Sequence, residues 1–180
     1  MGWYKHRWAS CKRATVRVFT YGSNMCSGRL RDYGVHPLLA GEAAMLQGYC
    51  VVFNKLSKKD HSGKANLEIS ERECVWGVLY EIPGGDLKTL DQGEGKGYAR
   101  CCLPVVTRGG RCLDAWVYLA DAPDETGKLK PYTWYTRFIV EGAIEHQLPN
   151  DYVERLRSIA AEPDPDRTRD AAMRALSCGD

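Results

Sequence analysis

Glu94 stands between two glycines in Leu90-Asp91-Gln92-Gly93-Glu94-Gly95, and Tyr21-Gly22-Ser23-Asn24-Met25 lies some seventy residues before it. Asp86 to Asp91 reads as a short helix stopped by Gly93 and Gly95, which leaves Glu94 at its C-terminal end. The helix dipole disfavours a negative charge there, and burial would disfavour it further, so both push the carboxyl pKa upward. A carboxyl raised toward neutrality is what general acid/base work requires. The flanking glycines add backbone freedom and little side-chain cover. The Tyr-Gly-Ser-Asn segment presents several backbone N–H groups to one point, a nest suited to a carboxylate or a developing oxyanion. Each motif alone also has a plainer reading, a polar turn in one case and a solvated loop carboxylate in the other.

The elements that must position these groups follow from periodicity. Val16-Arg17-Val18-Phe19 alternates as a strand and feeds the Tyr21 segment, after which about Ser27 to Arg31 reads as helical. Ala44 to Phe53, Asn66 to Ser70 and Cys74 to Ile82 are strand-like, with a polar loop over Lys55 to Lys64. Arg100 to Thr107 and Cys112 to Leu119 form two more strands about the turn Arg108-Gly109-Gly110-Arg111. Helices take over in the last third. One is capped at Thr133 with Tyr135, Phe138, Ile139 and Gly142 on one face. Another follows Leu148-Pro149-Asn150 with Tyr152, Leu156 and Ile159 inward, and a third starts from an N-cap at Asp164 before Pro165. Strands followed by helices predict an α+β fold whose sheet is closed or nearly so. The expected organisation is a basic flexible extension over 1–14, one domain over 15–162 and a helical tail over 163–180.

The chain has 180 residues, 44% of them hydrophobic, enough for one sizeable core. A formal charge of +2 gives no reason to expect nucleic acid or a membrane surface as partner. No segment is long and apolar enough to span a bilayer as a helix, so the cytoplasm is the expected location. Eight cysteines include no Cys-x-x-Cys pair, and four histidines are scattered, which argues against a structural metal. Most of the thiols are therefore expected to be reduced core residues, with Cys26 packed and unreactive.

Tyr-Gly-Ser-Asn after the first strand and Leu-Asp-x-x-Glu-Gly further on resemble the gamma-glutamylcyclotransferase family. So do Tyr135-x-x-x-Ile139, Gly142-Ala143 and Leu148-Pro149-x-x-Tyr152-x-x-x-Leu156 in the tail, and the resemblance covers roughly residues 16–160. It implies a small mixed β-barrel with flanking helices and a pocket at the barrel mouth. It also implies that Tyr21, Gly22, Ser23 and Asn24 cradle a gamma-glutamyl group, that Glu94 is the acid/base, and that Tyr135 and Tyr98 line the pocket. Glutathione-specific relatives carry Leu in place of Asn24, and gamma-glutamylamine relatives carry Thr in place of Ser23. The resemblance therefore points to gamma-glutamyl amino acids or specialised gamma-glutamyl amides as substrates.

The implied chemistry is self-contained. The substrate's α-amine attacks its own δ-carbonyl, closes a five-membered ring and releases 5-oxoproline with a free amine. No cofactor and no covalent nucleophile is called for, and the only partner expected is the small-molecule substrate, with a homodimer left open. Two rivals stand beside this reading. One is acyl transfer through Ser23 or Cys26, which lacks an evident His partner and a Gly-x-Ser-x-Gly elbow. The other is a binding module that has kept the fold, which a glycine-flanked Glu94 argues against.

Overall fold

The alternation over Val16 to Phe19 becomes strand β1, Thr15–Thr20, and it is covered on both sides. Val18 and Phe19 are adjacent and point to opposite faces, yet each is 1% exposed. The computed structural model describes residues 14–179, so the extension expected over 1–14 lies almost wholly outside the described residues. After β1 come a 3-10 turn at Ser23–Met25, helix α1 (Ser27–Asp32), and strands β2 (Glu42–Leu56) and β3 (Gly63–Pro83). A second 3-10 turn, Gly84–Asp86, leads into α2 (Leu87–Glu94), and strands β4 (Tyr98–Thr107) and β5 (Cys112–Ala120) follow. The chain then runs through α3 (Thr133–Glu145), α4 (Asn150–Arg157) and α5 (Arg167–Ala175).

The five strands close into a barrel in the order β1-β3-β2-β4-β5. Neighbours are antiparallel except where β5 meets β1 in parallel through Val18 and Trp116. The fold is therefore α+β around a small mixed barrel. Closure leaves no free sheet edge and gives the barrel a rigid mouth on which to build a pocket.

Four local expectations need correction. The two strand pieces around Glu71-Arg72-Glu73 are one strand, β3, paired with β2 along most of its length. The ladder passes from Gln47–Cys74 to Tyr49–Ile69, so Ser70 to Glu73 stay in the strand as an unpaired bulge opposite Gly48, which has a positive φ of 81°. The polar loop also shrinks, because Lys55, Leu56, Gly63 and Lys64 all belong to the ladder. At the start of α3, Thr133 is the first helical residue and its hydroxyl caps nothing. Its N–H donates to the Glu162 carbonyl (2.9 Å) and its Oγ1 accepts from Arg174 (3.0 Å).

The fourth correction concerns the start of α5. The N-cap is Asp166, which accepts the Arg169 N–H at 3.0 Å. Asp164 is buried and used elsewhere, accepting from Trp134 Nε1 (2.8 Å) and from the Arg169 guanidinium through both oxygens. In α4, Tyr152 and Leu156 face inward as expected with Val153 beside them, whereas Ile159 falls beyond the helix end.

α3 is the main strut. Phe138, Ile139 and Ala143 are fully buried, and each large apolar side chain of this kind contributes about 1.5–3 kcal/mol by leaving water. α5 buries none of its residues. It is held by Arg137, which donates to the carbonyls of Met173 (2.8 Å) and Leu176 (2.9 Å), and by a disulfide from Cys178 to Cys26. Cys26 is packed in the core as expected, but that bond overturns the expectation that it is reduced: residues 152 apart in sequence meet because the tail folds back over α1. The remaining described cysteines are not core residues, since Cys102 and Cys112 are exposed and Cys50, Cys74 and Cys101 are half-buried. No helix among the described residues is long and apolar enough to cross a membrane.

Candidate active site

A pocket opens at one end of the barrel, with ≈ 360 Å³ of empty space including its mouth. Its wall is built from Phe19 to Asn24, Ala65, Glu94, Tyr98, Tyr118 and Tyr135. All seven residues singled out in the sequence are therefore brought together. Phe19, Thr20, Ala65 and Tyr118 were not foreseen.

The loop after β1 turns immediately into the 3-10 turn, whose own hydrogen bonds start late. Met25 N–H donates to the Gly22 carbonyl (3.0 Å), and Cys26 N–H donates to that of Ser23 (3.2 Å). The amides of Ser23 and Asn24 come before the first such donor, so they have no acceptor within the turn. This is the arrangement that suits an anionic ligand atom. Gly22 stands where a side chain would press on Tyr135 Oη at 3.2 Å and on Ala65 Cβ at 3.3 Å.

Glu94 is the last residue of α2, not a loop residue, and its setting departs from the sequence reading in two ways. Gly93 is helical, and its role is close approach: a Cβ there would lie 2.7 Å from the ring of Tyr33. Only Gly95 supplies the backbone freedom expected of both, with φ of 76° as the helix ends. Side-chain cover is also heavy, because elements distant in sequence bring Tyr21, Tyr98, Tyr118 and Tyr135 around the carboxyl.

Burial accordingly pushes the Glu94 pKa up to about 7, opposed by a hydrogen bond from Asn24 and by the positive charges of Lys55 and Arg29. The Asn24 Nδ2–Oε1 distance is 2.6 Å, so the loop and the carboxyl are fixed to each other. The residue stays partly exposed through the mouth, as a group that meets a ligand must. One turn earlier, Asp91 is neither a cap nor a second acid in the pocket. It accepts from Tyr118 Oη at 2.7 Å and pairs with Arg100 at 2.8 Å.

The tyrosines form a braced aromatic wall. Tyr98 Oη donates to the Ala65 carbonyl (2.7 Å), and Tyr135 Oη accepts from the Ala65 N–H (3.1 Å). Tyr21 Oη donates to the Tyr118 carbonyl at 2.5 Å. Burial holds all four phenols well above their ordinary pKa, so they remain protonated and neutral at physiological pH. Among the described residues no histidine lines the pocket. Among the described residues, the one group of three close potential metal ligands is Cys26, Glu145 and Cys178, outside the pocket and already joined through its two sulfurs.

Residues 74–156 match the AIG2-like family. Mouse gamma-glutamylcyclotransferase is 29% identical over 152 residues, covering 81% of this chain and 79% of the relative. The human protein of that name is 30% identical over 149 residues, covering 78% and 77%. A solved structure titled gamma-glutamyl cyclotransferase superposes with a TM-score of 0.77 at 24% identity, over 89% of this chain and 98% of that one.

Proposed function

Because the chain belongs to the gamma-glutamylcyclotransferase family, we propose that it cyclises the gamma-glutamyl group of its substrate, releasing 5-oxoproline and a free amine. The observation that carries this reading is the pairing of Glu94, poised near neutrality, with the unoccupied amides of Ser23 and Asn24 across one pocket. Intramolecular attack already supplies effective molarities of up to about 10⁵–10⁸ M when the geometry is right. What remains is proton transfer and charge stabilisation. Glu94 takes a proton from the substrate α-ammonium, and the freed amine attacks the δ-carbonyl. The loop amides stabilise the resulting oxyanion, Glu94 returns its proton to the departing nitrogen as the C–N bond breaks, and the second proton on the ring nitrogen passes to the released amine, which leaves as an ammonium. One carboxyl serves both steps because its pKa lies between the demands of a base and of an acid. The buried tyrosines shape the pocket and exclude water while adding no charge.

Acyl transfer through Cys26 fits poorly, since that sulfur is bonded to Cys178. Ser23 has no histidine beside it in the pocket wall to activate it. The distinguishing experiment is mass spectrometry of products from gamma-glutamyl-alanine and from its N-acetyl analogue. 5-Oxoproline is expected from the first compound and no cleavage of the second, because acetylation removes the nucleophile. Formation of N-acetylglutamate would make the protein a hydrolase and end the cyclisation reading. Glutathione and glutamine are expected to be poor substrates in the same assay.

A further inference from the structure

Two cations act on Glu94 from outside the pocket wall, and they differ in how they are engaged. Arg29 is committed: it pairs with Asp32 (3.3 Å), donates to Tyr33 Oη (3.4 Å) and lies over the rings of Tyr33 and Phe138. Lys55 is not. Among the described residues it has no carboxylate within ion-pair distance. Yet it is half-buried, and the loss of solvent lowers its pKa. A partly desolvated ammonium that no carboxylate touches, with Glu94 and Asp60 acting on it only at longer range, is stabilised further by an incoming anion.

Its position is defined by packing. Lys55 lies near the end of the β2–β3 hairpin, opposite Lys64. Its stem runs against the Gly95–Gly97 turn: a Cβ on Gly97 would meet Lys55 Cε at 3.3 Å and Nζ at 3.7 Å. The ammonium sits 5.1 Å from the ring centre of Tyr98, which lines the pocket beside Glu94. The neighbouring Lys58 and Lys59 add positive potential on the same side. On the cyclotransferase reading the amides of Ser23 and Asn24 serve the glutamyl carbonyl, which leaves Lys55, beside the pocket-lining Tyr98, for the part of the substrate beyond the scissile amide.

We infer that Lys55 is a specificity-determining residue that reads a carboxylate on the departing amine, favouring gamma-glutamyl amino acids over gamma-glutamyl amides of uncharged amines. This assignment rests on the cyclotransferase reading above. The test compares gamma-glutamyl-alanine with gamma-glutamyl-ethylamide, which differ by that carboxylate alone, in the parent, Lys55→Met and Lys55→Arg. A charge-assisted contact predicts that the parent favours the alanine compound by about 10-fold or more in kcat/KM. Lys55→Met should erase that preference, read as the ratio of kcat/KM for the two compounds so that any change acting through Glu94 cancels, and Lys55→Arg should keep most of it. Equal losses on both compounds would place Lys55 on the glutamyl head or on Glu94 and overturn the inference, as would no loss on either. A parent that cyclises both equally well also overturns it, with the reaction left standing. If neither compound yields 5-oxoproline, the reaction itself is wrong and the assignment falls with it.

Discussion

Glu94→Gln is expected to leave a folded protein whose turnover of gamma-glutamyl-alanine is lower by a factor of about 10² or more. Gln keeps the shape and the acceptor for Asn24 Nδ2, now at 2.6 Å from Oε1, but it carries no proton between the two nitrogens. Activity within a few-fold of the parent would remove Glu94 from the mechanism. Asp91→Asn should cost far less, because Asp91 braces Tyr118 and Arg100 and does not line the pocket. In the parent, kcat/KM should rise with pH through about 7 as Glu94 ionises, and in Glu94→Gln that limb should vanish. Stability should move the other way. The native carboxyl holds its proton more tightly than the unfolded chain, so folding stability falls as pH rises from about 4.5 to about 7 and stays reduced above that. Glu94→Gln escapes the penalty and should be the more stable protein at pH 8, by a margin on the order of 3 kcal/mol that disappears below pH 4.5. Thermal unfolding at three pH values would show it.

The second large effect is expected far from the carboxyl. Gly142→Ala should destabilise the protein by about 2 kcal/mol or more and weaken catalysis with it. Helix propensity alone predicts the opposite, since Ala in place of Gly within a helix gains up to about 1 kcal/mol. Sterics decide the sign. A Cβ at Gly142 would press on Cys26 N, lie 2.5 Å from the carbonyl carbon of Met25 and 2.8 Å from its Cβ. Two of those atoms are backbone and cannot swing aside. α3 and the turn carrying Ser23 and Asn24 must then separate, which draws the loop amides away from Glu94. Denaturant midpoints and kcat/KM should both fall, whereas Gly85→Ala, with nothing within 4 Å, should change neither. An unchanged Gly142→Ala midpoint would mean that the contact between α3 and the loop is soft.

What could be read from the sequence divides along a physical line. Glu94 and the Tyr21 segment were legible because each is a local motif whose neighbours in sequence are also its neighbours in space. Tyr98 and Tyr135 came only through the family resemblance, and Ala65 and Tyr118 not at all, because they sit on strands that meet only when the barrel closes. Tyr118 looks like any inward residue of an alternating strand until Asp91 is placed beside it. Lys55 was hidden in a polar stretch that reads as a loop, although it is part of the β2–β3 ladder. Helix starts failed for a related reason. Thr133 and Asp164 are ordinary capping residues by type, but tertiary partners claim them first, Glu162 and Arg174 in one case and Trp134 and Arg169 in the other. Sequence also carries no spacing signal for two cysteines joined across the length of the domain.

That last bond gives the domain a topology of its own. With Cys26 tied to Cys178, everything between them is a covalent circle, and the segment that carries Tyr21 to Asn24 is an arm leading into it. The circle contains Glu94, the tyrosines of β4, β5 and α3, and four of the five strands. A single cut within it, for instance at the exposed turn around Thr126 and Gly127, opens the ring without releasing a fragment. A chain reopened at that turn keeps all five strands on one piece and α3 to α5 on the other, and the bond, not the peptide link, then holds the helices to the barrel.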